Sequence, residues 1–179
     1  MEHRKLKRAG IVIAVIVLTA ALAATAVAVL TADVGGQQLR VDIRESTDAS
    51  STNSTAFVDV PGANIAVVVP TGVTRLFEAS FFAESRCFGA TTSGQWCSVR
   101  IIASDATGAV VELRPESGLD YAFDTDMVTS TDDLYEGNAV SRARRLTAGT
   151  WRIRVQRAVT NAGTTFRLDD WLFSVRTDS

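Results

Sequence analysis

Histidine is almost missing from this 179-residue chain: the only one, His3, sits in a basic opening segment far from the rest of the sequence. Serine, cysteine and metal hydrolases that rely on an imidazole therefore have no general base in the body of the protein. No G-x-S-x-G, Walker loop or G-x-G-x-x-G is present either, which removes the common nucleophile-elbow and phosphate-cradling chemistries. Lysine is equally restricted, because Lys5 and Lys7 are the only ones and every later cation is an arginine. The formal charge of −2 is uneven: "MEHRKLKR" is basic, and from Asp33 onward acidic residues outnumber arginines. Such a balance excludes a nucleic-acid surface.

What is present begins with a long uncharged run. Between Arg8 and Asp33 lies "AGIVIAVIVLTAALAATAVAVL", long enough to cross a bilayer, which takes about 20 apolar residues. Its Ile/Val-dense part favours lipid, whereas the alanines that follow contribute little. Ala26-Val27-Ala28 also has the small-x-small form of a signal-peptidase site. Residues 9–32 are thus expected to be a transmembrane anchor or a removed signal segment, and residues 1–8 its basic cytoplasmic flank. Both alternatives send the remaining chain across the membrane, as a single-pass protein with its C-terminal domain outside or as a secreted one.

Residues 33–55 read as a linker with a possible first strand, since "QQLRVDIR" alternates Leu39, Val41 and Ile43 with Arg40, Asp42 and Arg44. The "ESTDASSTNST" that follows lacks apolar residues and reads as a tether, or as a long loop if that first strand belongs to the domain. From residue 56 to 179, short β segments are separated by Gly, Pro, Asn and Asp. "AFVDV" ends at Pro61-Gly62 and "IAVVV" ends at "PTG", as strands bounded by turns do. "TWRIRVQ" points Trp151, Ile153 and Val155 inward. In "TFRLDDWLFSV" the inward set changes parity across Asp169-Asp170, which predicts a β-bulge or a crossing between sheets.

Only two cysteines occur, Cys87 and Cys97. With no histidine nearby they lack both the further ligands zinc needs and the base that would activate a thiol. An oxidising compartment favours their pairing. If "LFEASFFAESRC" and "CSVRIIA" pair antiparallel with Cys87 opposite Cys97, then Val99 faces Ser85, Ile101 faces Ala83 and Ala103 faces Phe81, so both apolar faces coincide. Opposed residues there have Cα atoms about 4.5–5.5 Å apart, within disulfide reach.

The densest acidic stretch, "LDYAFDTDMVTSTDDLYEG", holds Asp120, Asp124, Asp126, Asp132, Asp133 and Glu136. Such oxygens can coordinate Ca²⁺, with Tyr121 or Tyr135 flanking a sugar, although the order matches no EF-hand loop and solvated loop carboxylates are the plainer reading. Paired carboxylates also leave a glycosidase-like possibility, but no spacing marks a pair. Trp151 and Trp171 fall in phase with strand cores, and Trp96 adjoins the cysteines. The arginines of "SRARRL" either meet an acidic partner or pair within the chain.

"FFAESRCFG", "GQWCSVRI", "LTAGTWRIRVQ" and "FRLDDWLFSV" together resemble a jelly-roll-like β-sandwich module of uncharacterised exported or membrane-anchored actinobacterial proteins. That resemblance implies a compact two-sheet domain with a disulfide, and it supplies no functional residue. The expectation is an all-β protein, a jelly-roll-like antiparallel β-sandwich behind one N-terminal transmembrane or signal helix. It would be a structural or protein-interaction domain without catalysis or required cofactor, possessing a protein partner or self-associating. The alternative is a Ca²⁺-dependent carbohydrate-binding module.

Overall fold

The structure is a computed structural model that describes residues 37–89, 94–116, 121–126 and 134–179. The expected membrane or signal segment at 9–32 lies outside the described residues. Among those described, every regular element is a β-strand: β1 (Gln38–Ser46), β2 (Ser50–Thr52), β3 (Val58–Phe88), β4 (Gln95–Asp105), β5 (Val110–Glu112), β6 (Asp124–Asp126), β7 (Glu136–Val159) and β8 (Thr165–Asp178). All the pairings are antiparallel, in the order β1-β8-β3-β7-β4-β5, with β2 on β8 and β6 on β4.

Two long strands shape the domain. The N-terminal part of β3 pairs with the C-terminal part of β7, from Val58 opposite Arg157 to Val69 opposite Gly149, and β4 joins on the far side of β7. Beyond a register shift, the rest of β3 pairs with the start of β7 and with β8. The same strand pair therefore serves two layers, a β1-β8-β3-β7 layer and a β3-β7-β4-β5 layer, whose inner faces share one core. Strands of sandwich folds turn such corners at bulges and bends.

This corrects the reading of Pro61-Gly62 and Pro70-Thr71-Gly72 as ends of strands. The chain continues through both, and the ladder shifts there, between Asp59 and Asn64 and between Val69 and Thr74. Gly72 has φ +81°, a left-handed backbone that glycine accepts without strain. Glycine and proline placed this way bend a strand as readily as they end one.

Alternation accounts for the core. Phe77, Ala79, Phe81, Ala83, Ser85 and Cys87 of β3 are all buried, as are Cys97, Val99, Ile101 and Ala103 of β4, Ile153 and Val155 of β7, and Phe166, Leu168, Trp171, Phe173 and Val175 of β8. The parity change in β8 is a bulge: the β3–β8 register shifts between Phe82 and Glu84, and Asp170 has φ 38°. Trp171 packs against Phe81 with ring centroids 6.1 Å apart.

Cys87 and Cys97 form a disulfide with Cα atoms 5.8 Å apart. The hairpin expected to carry it is absent. Cys87 lies opposite Phe166 of β8, whereas Cys97 lies opposite Val159 of β7 and Asp124 of β6. The facing sets were read correctly because both strands bury the same alternate residues. They meet across the core, as side chains of opposed layers do, rather than along a ladder.

The Ser/Thr-rich stretch is part of the domain. β2 pairs with β8, and the Ser54 carbonyl accepts from the Val159 amide at 2.9 Å. Arg157, almost fully buried on the inner side of β7, donates to the carbonyls of Ser50 at 2.7 Å and Ser51 at 3.2 Å. Burial lowers its pKa to about 10, because the interior disfavours the charged form.

Candidate interaction surface

β1 keeps the alternation expected of it but presents it the other way round. Across the β1–β8 ladder Asp42 stands opposite buried Val175 and Arg44 opposite buried Phe173, so the charged residues take the inner side. Leu39, Val41 and Ile43 are left in solvent, 49%, 45% and 52% exposed. β1 is the last strand of its layer, and its inner charges, Arg40 and Asp42, line a cleft against Val67 and Pro70 of β3 rather than a packed core.

The outer face of the layer can be followed row by row through the registers. One row runs Val41, Arg176, Glu78, Ala143; the next Ile43, Ser174, Ser80, Ser141; the third Glu45, Leu172, Phe82, Ala139. Phe82 and Leu172 are 46% and 39% exposed and directly opposed, and the Phe82 ring lies against Gly137, where a Cβ would come within 3.4 Å of it. In the middle row the hydroxyls of Ser80 and Ser141 bond each other at 2.7 Å. The charged row is internally paired, Arg176 with Glu78. The result is a patch of apolar and small side chains with little free charge, on a sheet whose other face is packed.

The outer face of the other layer is built differently. Arg154 bonds Asp59 at 2.9 Å, Gln156 bonds Asp59 at 2.8 Å, Arg100 bonds Gln156 at 2.7 Å, and Arg100 stacks on Phe57 with 4.0 Å to the ring centroid. Burial lowers the pKa of Arg100, partly countered by Glu112. This network satisfies its own charges.

The acidic candidates divide. Asp120, Asp132 and Asp133 lie outside the described residues. Asp124 and Asp126 are both buried on β6, beside the disulfide rather than in a solvated loop. The Asp124 carboxylate accepts from Ser85 Oγ at 2.7 Å and from the Thr125 amide at 2.7 Å, and Asn138 donates to the same Ser85 hydroxyl at 3.0 Å. Burial raises the Asp124 pKa, against the hydrogen bonds from Ser85 and Thr125, and Asp126 adds to the rise. Both Asp124 oxygens are therefore engaged by protein donors. Among the described residues, no three His, Cys, Asp or Glu side chains converge as a metal site.

A cleft of about 300 Å³ opens between β1 and β3, with Asp42, Arg40, Arg75, Val67 and Pro70 in its lining. Asp42 Oδ2 is shielded and has no hydrogen-bond partner, and Arg75 lines the same cleft. The arginines of "SRARRL" are occupied within the domain: Arg142 lies over the Tyr121 ring, and Arg144 donates to the Glu112 carbonyl at 2.6 Å and to Glu116 at 3.1 Å.

Phe82 and Leu172 were not singled out from the sequence. The available signal was the adjacent Phe81-Phe82 pair and the Trp171-Leu172-Phe173 run, since strict alternation cannot bury neighbours on one face.

No protein-family model matches the chain, and no curated protein matches it. Among solved structures it is similar to the CBM22-1 xylan-binding domain of Xyn10C from Paenibacillus barcinonensis, with 13% identity, 80% of this chain and 85% of that one covered, and a TM-score of 0.36. It is also similar to the globular domain of zebrafish complement 1qA protein, with 10% identity, 76% and 92% covered, and a TM-score of 0.34. A family 35 carbohydrate-binding module from Clostridium thermocellum gives 15% identity, 75% and 98% covered, and a TM-score of 0.30.

Proposed function

We propose that this chain is an extracytoplasmic, membrane-anchored β-sandwich domain without catalytic activity, and that it holds another protein on the outer face of its β1-β8-β3-β7 layer. The observation that carries the reading is the patch of Val41, Ile43, Phe82 and Leu172 left in solvent on an otherwise packed sheet. Contiguous apolar surface of this kind marks protein-binding sites. The uncharged run at 9–32 supports the membrane location, and the Cys87–Cys97 disulfide suits an oxidising compartment.

Phe82→Glu in the full-length chain tests the reading. Proteins co-isolated with the tagged chain from its own cells are expected to fall at least about tenfold, because a carboxylate must be desolvated at the centre of the contact. Unchanged recovery of those proteins contradicts the reading.

A second reading, the Ca²⁺-dependent carbohydrate-binding module, draws on the cleft beside β1. There the orphaned Asp42 Oδ2 offers an acceptor and Arg75 a donor of the kind sugar hydroxyls use. A glycan panel probed with and without Ca²⁺ tests it, and no retained glycan under either condition removes it.

A further inference from the structure

We propose that a second copy of this chain docks on the free edge of β1, the two β1 strands running antiparallel about a two-fold axis through Val41. The proposal goes beyond the interaction reading above, since it concerns the edge of β1 and not the outer face that carries Phe82 and Leu172. β8 occupies one side of β1, and no described strand occupies the other. Edge strands are ordinarily blunted by proline, lysine, shortness, a bulge, inward-pointing charges or a covering element; β1 carries inward-pointing charges, and these select the register. β1 is nine residues long and contains neither proline nor lysine. Its one irregularity, the register shift between Gln38 and Arg40, lies near its start.

Symmetry restricts the choice of register. For the joined strands to continue one sheet with like faces on the same side, the two-fold axis must stand perpendicular to that sheet and pass beside one residue of β1. An axis at Asp42 sets Asp42 against the partner's Asp42 and Arg40 against the partner's Arg44, and like charges directly opposed are destabilising. An axis at Arg40 brings two guanidinium groups together. An axis at Ile43 sets Asp42 opposite the partner's Arg44 on the inner side but places the Glu45 carboxylate against the partner's Val41, breaking the apolar stripe.

The axis at Val41 gives a different result. Arg40 then faces the partner's Asp42 and Asp42 faces the partner's Arg40, while Leu39 faces the partner's Ile43 and Val41 faces the partner's Val41. Charges are complementary on the inner side and Val41 meets Val41 on the outer side, with Leu39 at the register shift of β1. Arg40 already bonds Asp42 of its own strand through Nε at 2.9 Å, so each carboxylate would lie between two guanidinium groups. The exposed stripe of Leu39, Val41 and Ile43 would become the middle of a sheet running through both copies.

Single cysteines in the full-length chain test the register, because Cys87 and Cys97 are bonded to each other and no free cysteine competes among the described residues. Directly opposed residues are about 4.5–5.5 Å apart at Cα, within disulfide reach. After mild oxidation in cells, Val41→Cys should run as a covalent dimer on a non-reducing gel and Ile43→Cys should not. Cells producing Leu39→Cys and Ile43→Cys chains together should give the mixed dimer. Adding Asp42→Arg should cut the Val41→Cys dimer at least about fivefold, and adding Arg40→Asp to that chain should restore it. A dimer from Ile43→Cys in place of Val41→Cys overturns the register. No dimer from any variant, with the native disulfide intact, overturns the docking itself. If that happens while Phe82→Glu still abolishes recovery of another protein, the outer-face reading stands and only the edge contact falls.

Discussion

Removing the disulfide should destabilise the domain measurably even though the loop it closes is short, because the bond restricts the unfolded chain. Cys87 and Cys97 are 10 residues apart. On the chain-entropy relation, a closed loop of that length constrains the unfolded chain by about 2.7 kcal/mol at 25 °C. With an unfolding entropy of about 2.1 cal/mol/K per residue over roughly 140 residues, the melting temperature should fall by about 9 °C. The double variant Cys87→Ala, Cys97→Ala avoids burying new hydroxyls where both side chains are now enclosed. Thermal unfolding followed by circular dichroism, for that variant and for the native chain with and without reductant, gives the measurement. Reduced native chain and double variant should melt within a few degrees of each other and about 9 °C below the oxidised chain. A difference below about 3 °C refutes the reasoning, since it would mean that the bond constrains the unfolded chain far less than its loop length requires.

Arg157→Ala should destabilise the domain by about 2–3 kcal/mol, because it removes a buried guanidinium that donates to the carbonyls of Ser50 and Ser51. Limited proteolysis should then cut the 45–55 stretch sooner than in the native chain. Asp124 carries a carboxyl pKa raised in the folded state, chiefly by burial, so its contribution to stability is full below the ordinary carboxylate range and is lost as the pH rises through the higher folded value. Melting temperatures of native and Asp124→Asn chains should therefore diverge in favour of the native chain on acidification, and parallel pH curves would count against it. Chelation of Ca²⁺ should leave the melting temperature unchanged, as both Asp124 oxygens already have protein donors. A fall on chelation would support the carbohydrate-binding reading, through the stabilisation that a bound ion confers.

Much of the fold was legible because burial follows period-2 alternation. Phe77 to Cys87, Cys97 to Ala103 and the Asp169-Asp170 parity change could be read without coordinates. Turn chemistry was less informative. Pro61-Gly62 and Pro70-Thr71-Gly72 have the composition of chain reversals, yet the residues after them pair again with β7 and turn the same dipeptides into bulges. Disulfide geometry was ambiguous for a related reason. Two strands that bury alternate residues satisfy the same face matching whether they lie side by side or across a core. At the candidate surface, the Leu39-Val41-Ile43 pattern was visible but its direction was not, because alternation fixes which residues share a face and not which face meets the core. Phe82 and Leu172 join that surface only through strand order, which pattern alone leaves open.

The central claim is that the outer face of the β1-β8-β3-β7 layer is a protein-binding surface. Its most direct test is a photoreactive side chain at position 82 of the full-length chain, irradiated in the cells that make the protein, beside the same group at exposed Val110 on β5, at the far edge of the other layer. The account predicts a discrete higher-mass adduct from position 82 and none from position 110. No adduct at position 82, or equal adducts from both positions, would contradict it.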